Sequence, residues 1–439
     1  MQLLVRLGFR IAALALKFVL TIVVARVLGF AAVADYGLAL ALSVVASKLL
    51  GLGFSIEINR RLSAEQPLPA IHDARRVLLL YGAVYAAIAA GVAGVYHAGV
   101  FDRFTRIAPG ILWGVMLVAF SEHAGLETTS YVFSLHRARA GAVLLFIRTG
   151  GWAVVAIAVL LAGLSRSIET IFALWCGTNV FASLAALWCI ARRERELKLN
   201  RERAKCDAVA RSSNGGFRSV WIDGMPFFVA TTLLSGLQYG ERFLASQVFS
   251  SYTLGRYVFA WSISSSIQTI AYATIVVTAG PRLVRALSGG HHAARLFHAT
   301  LRRALLASIG ITLLAAVAIV LVHQPLFHIA REPSGRQEFG MLLVLLISFV
   351  LRSIADVYWA AAIALRAGKR VALAMCCVTL ACVPIEWMLI RELDEIGAAL
   401  AHLSASVGIV AILAWIVMRT HAPNPAAIAV VPEEAAHVA

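Results

Sequence analysis

The sequence predicts an all-α membrane protein of about twelve transmembrane helices, and three observations support this fold class. Apolar residues make up 60% of the 439 residues and charged residues only 14%, whereas a soluble protein averages about 45–50% apolar and about 25% charged. Twelve stretches each hold about 20 mostly apolar residues, the length that crosses the hydrocarbon core of a bilayer. The joints between these stretches are alternately rich and poor in positive charge, as membrane topology requires. Together these observations exclude soluble, disordered, collagen-like and disulfide-scaffold proteins.

The twelve predicted spans are separated by short joints that carry Gly, Pro or charge. In chain order they cover residues 5–28, 34–56, 76–98, 108–130, 141–163, 168–190, 224–248, 254–279, 302–323, 340–365, 371–390 and 396–418. The first stretch is too long for the core of a signal peptide and lacks a convincing small-residue cleavage site. We therefore expect it to be retained as a span.

Positive charge predicts the orientation of the chain. The net charge is +16, from 39 Lys and Arg against 23 Asp and Glu, which in a soluble protein would suggest nucleic-acid binding. With a cytoplasmic N-terminus, the inside loops carry 24 Lys and Arg residues and the outside loops carry six. This bias follows the positive-inside rule. It predicts a multi-pass protein of the plasma membrane with both termini in the cytoplasm, and no nucleic-acid partner.

Two polar stretches predict how the chain is organised. We expect an N-terminal six-helix bundle at 1–190, a basic cytoplasmic linker at 191–218, a C-terminal six-helix bundle at 219–418 and a disordered cytoplasmic tail at 419–439. The linker is most simply a tether at the anionic inner surface of the membrane. Duplicated halves of this kind are common in secondary transporters, whose binding site lies between them.

Enzyme chemistry finds little support in the sequence. There is no GxxxxGK[ST] nucleotide motif, no HExxH motif and no Cys/His cluster with metal-ligand spacing. The longest predicted outside loop, about 324–339, is too short for a catalytic domain. We therefore expect no cofactor, no metal and no enzymatic activity.

Cations inside the spans are the most informative residues, because a charge within a bilayer is costly and usually faces a cavity or a partner. Arg6, Arg10 and Lys17 lie within about 40° of one another around the first span, at about 100° per residue. We interpret this stripe as a cationic wall for an anionic ligand such as a phosphate. Alternatively, Arg6 and Arg10 extend to the inner headgroups. Lys48 extends the wall or pairs with an acid, and Arg148 lines a cavity or a helix interface.

Two acids in the fourth span, Glu122 and Glu127, are candidates for ion coupling. A carboxylate in a region of low dielectric constant can carry a proton or bind a cation. Glu122, beside His123, is the preferred candidate. The alternative is that Glu122 pairs with a cation from the first or second span.

Three segments carry motifs that occur together in one order. The first, at 25–60, is ARVLGFAAVADYGLALALSVVASKLLGLGFSIEINR. The second, at 224–264, is GMPFFVATTLLSGLQYGERFLASQVFSSYTLGRYVFAWSIS; it contains an acid-Arg pair, Glu241-Arg242, and a later Gly-x-Tyr, Gly255 and Tyr257. The third, at 396–412, is IGAALAHLSASVGIVAI. The three segments together resemble polysaccharide flippases of the multidrug/oligosaccharidyl-lipid/polysaccharide exporter superfamily, although that family more often has Asp at the first position of the acid-Arg pair.

The resemblance implies two six-helix bundles that form a V and transport by alternating access. It implies a flippase that moves a polyprenyl-pyrophosphate oligosaccharide across a bacterial plasma membrane for surface polysaccharide synthesis. Arg10, Lys17, Lys48 and Arg148 would bind the anionic head. Membrane lipids and the polysaccharide-assembly machinery are the expected partners, and the protein is expected to act as a monomer. The alternatives are a drug/cation antiporter of the same superfamily and a membrane polysaccharide polymerase or ligase.

Overall fold

The structure, a computed structural model, describes residues 2–63, 67–98, 109–203, 217–287, 293–330 and 335–420. Throughout these ranges the regular secondary structure is helical. The helices are α1 (Gln2–Leu28), α2 (Phe30–Leu49), α3 (Phe54–Leu62), α4 (Leu68–His97), α5 (Pro109–Ser134), α6 (Ala138–Phe146), α7 (Trp152–Leu161), α8 (Ile168–Arg203), α9 (Phe217–Val248), α10 (Ser251–Ala271), α11 (Val277–Leu287), α12 (Ala293–Ile329), α13 (Arg336–Ala364) and α14 (Gly368–Arg419). The rest of the predicted linker, 204–216, and the tail from 421 onward lie outside the described residues.

The predicted all-α fold class is confirmed, and the predicted spans coincide with helices. Within the described ranges, eight helical stretches are long and apolar enough to cross a membrane, so the chain is a multi-pass membrane protein. The fifth and eighth predicted spans each contain one π-helical turn, Ile147–Gly151 between α6 and α7 and Tyr272–Val276 between α10 and α11. The last two predicted spans form α14, which is broken at Asp394 by non-helical backbone angles (φ 50°, ψ −132°).

The second span ends earlier than predicted. The sequence pattern places its end near residue 56, whereas α2 stops at Leu49. Leu52 and Gly53 adopt positive φ angles of 48° and 83°, a backbone region that favours glycine. The chain turns there and continues as the short helix α3.

The sixth span continues as helix into the first part of the predicted linker, because α8 runs to Arg203. Ion pairs attach this extension to its neighbours. Glu194 pairs with Arg75 of α4 at 2.5 Å and, within α8 itself, with Lys198 at 2.7 Å. A further ion pair joins Glu196 to Arg137, just before α6.

By packing, the chain divides into two compact units, one made mainly of residues 1–259 and the other mainly of residues 260–439. Helix α9 and the start of α10 therefore pack with the first unit. The bundle borders at 190 and 219 stay a prediction.

Glycines allow helices of the first unit to approach one another closely. Gly37 of α2 packs against the Val258 side chain of α10, and a Cβ at this position would overlap that side chain. Gly255 of α10 packs against the Phe30 backbone, where a Cβ would overlap the Phe30 carbonyl oxygen. Both glycines belong to the segments that carry the family resemblance, so these segments meet in space.

The acid-Arg pair of the second segment lies at this same junction and is fully buried. Arg242 Nη1 donates to the Gly37 carbonyl oxygen at 2.9 Å. Glu241 accepts a hydrogen bond from the Tyr257 hydroxyl at 3.1 Å. The pair therefore connects α9 to both α2 and α10, which is a structural role.

Three helices end in the same turn geometry. His136, Gly163 and Arg366 have positive φ angles of 59°, 69° and 52°. After each of them the next N–H bonds a carbonyl five residues back, with lengths of 3.2, 3.1 and 3.0 Å. This is the bonding of a Schellman helix end.

The second unit contains polar contacts between its own helices. Ser348 of α13 contacts His402 Nδ1 of α14 at 2.6 Å, and Gln268 of α10 donates to Asp356 of α13 at 2.8 Å. Trp261 packs edge-on against Phe349 at 4.9 Å.

Candidate functional site

Glu122 of α5 lies at the centre of a polar cluster inside the first unit. Its Oε1 atom forms an ion pair with Arg148 Nη1. Its Oε2 atom accepts hydrogen bonds from Trp175 Nε1 at 3.0 Å and Asn179 Nδ2 at 2.9 Å. Three N–H donors, one of them charged, therefore hold this carboxylate in its ionised form.

Local backbone features place Arg148 next to Glu122. Arg148 sits in the π-helical turn of the fifth span, and such turns often occur at functional sites. A Cβ at Gly125 would approach Arg148 Cδ to 2.7 Å, and one at Gly150 would approach the Ala13 Cα of α1 to 2.9 Å. The two glycines thus let α5, α1 and the turn come close enough for a buried ion pair.

Lys17 of α1 lies beside this cluster. Its Nζ atom is 5.6 Å from the centroid of the Trp175 ring, in the range of a cation–π interaction. Trp175 stacks on Trp152 with ring centroids 4.7 Å apart, and Tyr36 packs 6.0 Å from Trp175. No carboxylate of the described residues lies within 4 Å of Lys17 Nζ. Its charge does lie within electrostatic range of both Glu122 and Arg148.

Glu127, also on α5, has different surroundings. Its Oε1 atom accepts a hydrogen bond from Ser55 Oγ at 2.6 Å, and His123 Nε2 lies 3.9 Å from the same atom. The other nitrogen of His123, Nδ1, contacts the Tyr85 hydroxyl. Lys48, in the last turn of α2, lies within electrostatic range of Glu127. In the part of the chain that the structure describes, Lys48 has no carboxylate within 4 Å either.

Five of the six predicted site residues thus lie together in the first unit. Lys17 and Lys48 are both within electrostatic range of Arg148. The sixth residue, Arg10, is in α1, but its side chain lies outside the described part of the structure. Glu122 is paired, as one reading of the sequence expected, but its partner comes from the fifth span and not from the first or second.

Sequence reasoning missed Trp152, Trp175 and Asn179. All three are fully buried, and two of them hydrogen bond to Glu122 directly. Asn179 gave a signal that could have been used, since an amide inside a span needs a polar partner. The tryptophans gave none, because aromatic residues are common in any membrane helix.

Metal binding gains no support from the arrangement of these side chains. Among the residues that the structure describes, no group of three or more His, Cys, Asp or Glu is placed to hold a metal ion. The chemistry available here is charge pairing, hydrogen bonding and proton binding.

No protein-family model and no curated protein sequence matches the chain. Solved structures do match over nearly its whole length. One is a crystal structure of MATE in complex with MaL6, with a TM-score of 0.64 and 16% identity, covering 95% of this chain and 96% of that one. Another is the lipid II flippase MurJ in an inward closed conformation, with a TM-score of 0.67 and 11% identity, covering 93% and 86%.

A third similar structure is a MOP superfamily transporter from Pyrococcus furiosus, described as having a binding pocket of reversed polarity that suggests a different function. Its TM-score is 0.64 and its identity 14%, with 95% of each chain covered. At these identities the likeness shows the fold alone. The chain therefore has the fold of MOP superfamily transporters, which confirms the resemblance at the level of fold.

Proposed function

We propose that the protein is a flippase that moves a polyprenyl-pyrophosphate oligosaccharide across a bacterial plasma membrane for surface polysaccharide synthesis. Lys17 and Lys48 bind the pyrophosphate, with Arg148 beside them. Arg10, seven residues before Lys17 in the sequence, also binds this anionic head. Both termini lie in the cytoplasm, and the protein acts as a monomer.

The observation that carries this proposal is the pair of partly buried lysines without an ion-pair partner among the described residues. A cation held away from water is costly unless a negative charge compensates it. Glu122 is already matched by Arg148. Lys17 and Lys48 therefore provide positive charge that an anionic cargo can neutralise.

Two further atoms of the cluster suit a polar ligand. Arg148 is only 4% exposed, and neither its Nε atom nor the Oδ1 atom of Asn179 has a hydrogen-bond partner among the described residues. Buried polar atoms are normally hydrogen-bonded. A phosphate oxygen can accept from Arg148 Nε while Nη1 stays with Glu122, which reconciles the ion pair with a binding role.

Similarity in fold supports transport in general. One similar structure is a lipid II flippase by its description, which makes a lipid-linked cargo reasonable for a chain of this fold. Because MATE structures also share this fold, the drug/cation antiporter stays the alternative to the proposed function. The similar structures described above are transporters, which disfavours the polymerase and ligase alternative.

The test is a binding measurement on the full-length protein in nanodiscs. The probes are a polyprenyl-pyrophosphate disaccharide and a cationic dye, each titrated against wild type and K17A. The matched control is K369A, which removes an exposed lysine at the start of α14. We expect saturable binding of the pyrophosphate lipid that weakens in K17A and is unchanged in K369A.

Two results would count against the proposal. Dye binding without lipid binding in the wild type would favour the antiporter. Lipid binding that K17A and a K48A variant leave unchanged would preserve the flippase function but remove these lysines from its site.

A further inference from the structure

A cavity of about 210 Å³ lies inside the first unit, between α3, α4, α5 and α8. Seven of the nine side chains that line it are aliphatic, among them Leu62, Leu78 and Leu187. The other two belong to Tyr131 and Arg75. Apolar cavities stay free of water and take up apolar molecules. The lining of this cavity therefore suits a hydrocarbon chain.

The cavity extends to the surface of the unit that faces the bilayer. Tyr131 is fully buried, whereas Leu187 is 39% exposed and the Arg75 side chain is 48% exposed. Close to these two residues in the chain, Leu79 of α4 and Trp188 of α8 are large apolar side chains that are also exposed. Exposed apolar surface of this kind marks contact with a membrane. A lipid of the bilayer can therefore reach the mouth of the cavity, beside Arg75 and Leu187.

The mouth lies at the level of the lipid headgroups. The Arg192 guanidinium is 5.7 Å from the centroid of the Trp188 ring. Tryptophan is enriched where a membrane meets water, and arginine extends its charge to the headgroups. The cavity also adjoins the end of α3, the start of α4 and the end of α5, all next to joints that the sequence predicts to be cytoplasmic. The lipid that reaches it therefore belongs to the inner leaflet.

Positive charge exceeds negative charge around the mouth. Two carboxylates of α8, Glu194 and Glu196, form ion pairs with five cations. These cations are Arg75, Arg137, Arg192, Arg193 and Lys198. The acid of α4 nearest to the mouth in the chain, Asp73, lies 3.7 Å from Arg61 and is matched there. Arg76 is exposed and has no carboxylate of the described residues within 4 Å. This excess favours an anionic headgroup over a neutral one.

Arg75 can bind a phosphate without leaving its ion pair. Its hydrogen bond to Glu194 Oε2, at 2.5 Å, uses one N–H of Nη2. A guanidinium has five N–H donors, so others can donate to a phosphate oxygen. Basic pockets between membrane helices on the cytoplasmic side are known to bind anionic headgroups.

We propose that this cavity binds an acyl chain of an anionic phospholipid of the inner leaflet, such as phosphatidylglycerol. The phosphate of this lipid lies at the mouth, against Arg75 and Arg76. The bound lipid connects α4 to α8 beside their ion pairs and stabilises this end of the unit. No residue of the cluster around Arg148 lines the cavity, so the phospholipid site is separate from the site proposed for the cargo. It does not depend on the proposed flippase function.

The experiment is native mass spectrometry of the full-length protein after incubation with dioleoyl phosphatidylglycerol or dioleoyl phosphatidylcholine. Wild type is expected to retain one phosphatidylglycerol more tightly than phosphatidylcholine. A74L replaces a methyl group of the cavity wall with an isobutyl group and is expected to lose this lipid. The matched control, A86L, makes the same change at an exposed position of α4 and is expected to bind as wild type does. Equal retention of phosphatidylglycerol by A74L and wild type would overturn the proposal.

A charge variant tests the position of the headgroup. R75Q keeps the apolar part of the cavity but removes a positive charge from its mouth. We expect the preference for phosphatidylglycerol over phosphatidylcholine to fall about fivefold, the typical contribution of one basic residue beside an anionic lipid surface. An unchanged preference would exclude Arg75 as the partner of the phosphate.

Crosslinking of wild type keeps the test decisive if A74L does not fold. Phosphatidylglycerol with a diazirine in one acyl chain is photolysed in nanodiscs that contain the protein, and the labelled peptides are identified. The proposal predicts labels within 71–78 and 187–191, the parts of α4 and α8 that line the cavity. Labels only elsewhere would overturn it. Displacement of these labels by a polyprenyl-pyrophosphate disaccharide would also overturn it, because the cavity would then belong to the cargo.

Discussion

Glu122 and Glu127 lie on the same helix, five positions apart, yet the fold gives them opposite surroundings. That spacing turns them about 140° apart around α5. Glu122 faces the fifth and sixth spans and receives three N–H donors, one of them from an arginine. Glu127 faces the turn after α2 and receives a hydroxyl. The comparison shows that two acids of one span can have unlike partners: an arginine and two further N–H groups for Glu122, but a neutral hydroxyl group for Glu127.

The largest effect should come from breaking the Glu122–Arg148 pair. Arg148→Met leaves a buried carboxylate without its cation, and such a change typically costs about 3–5 kcal/mol. We expect a marked loss of thermal stability of the purified protein, measured by fluorescence-detected size-exclusion chromatography after heating. The double variant E122Q/R148M should recover much of the loss, because neither charge is then left alone. Equal loss in the single and double variants would show that packing matters more than the ion pair.

The next effect concerns Lys17, which lies beside this pair. Lys17→Ala removes a charge-assisted contact worth about 1.5–3 kcal/mol, so we expect affinity for the pyrophosphate lipid to fall roughly 10- to 100-fold. Isothermal titration calorimetry of the protein in nanodiscs measures this affinity. The stability of K17A should stay near that of wild type, which separates binding from folding. A loss of stability comparable to that of R148M would assign Lys17 to the structural cluster instead.

Replacing Glu127, the second acid of α5, with neutral Gln should have a small effect on the stability of the protein. Gln at position 127 can still accept the Ser55 hydrogen bond, so we expect E127Q to change the free energy of unfolding by no more than about 1 kcal/mol. E122Q should be clearly more destabilising, because it leaves Arg148 buried without its counter-ion. The same heating assay compares the two variants. Equal losses of thermal stability in E127Q and E122Q would contradict the difference between the surroundings of the two acids.

Glu57 of α3 offers a third acid, at the edge of the unit and outside the membrane spans. Burial alone would raise the pKa of its carboxyl, but hydrogen bonds from Arg60 at 2.6 Å and Arg61 at 3.0 Å hold the pKa below its ordinary value. The stabilisation is therefore present above the pKa of the unfolded chain, about 4.3, and is lost as pH falls through the lower folded value. Because Arg60 is 72% exposed, we expect only about 0.2–1 kcal/mol. We expect E57Q to remove this part of the pH dependence from the free energy of unfolding measured between pH 3 and 6. The same pH dependence in E57Q and wild type would show that Glu57 does not contribute to it.

Much of the fold could be predicted from the sequence because helix length and apolar composition are local properties. Hydropathy placed the helices, and the first two resembling segments, 25–60 and 224–264, contain the residues that meet at the junction around Gly37 and Arg242. The end of the second span could not be placed, since it depends on the positive φ angles of Leu52 and Gly53.

The candidate site was predicted less completely. The ionisable residues were identified because a charge inside a span is rare and costly. Their pairing was not, because Arg148 reaches Glu122 through a π-helical turn that the sequence does not signal. The helical wheel treats every residue as turning by the same angle, so it cannot place a side chain beyond such a turn. Nor can it show that Trp175 lies under Lys17, 158 positions away in the chain.

The most direct test of the proposed anionic cargo is translocation itself. A fluorescent polyprenyl-pyrophosphate saccharide is placed in proteoliposomes that contain wild type, K17A or K369A, and its appearance in the opposite leaflet is followed with a membrane-impermeant quencher. The proposal predicts faster translocation with wild type and K369A than in protein-free liposomes, and at least a tenfold lower rate with K17A. Wild-type liposomes that move the lipid no faster than protein-free ones, under a proton gradient of either direction, would contradict it.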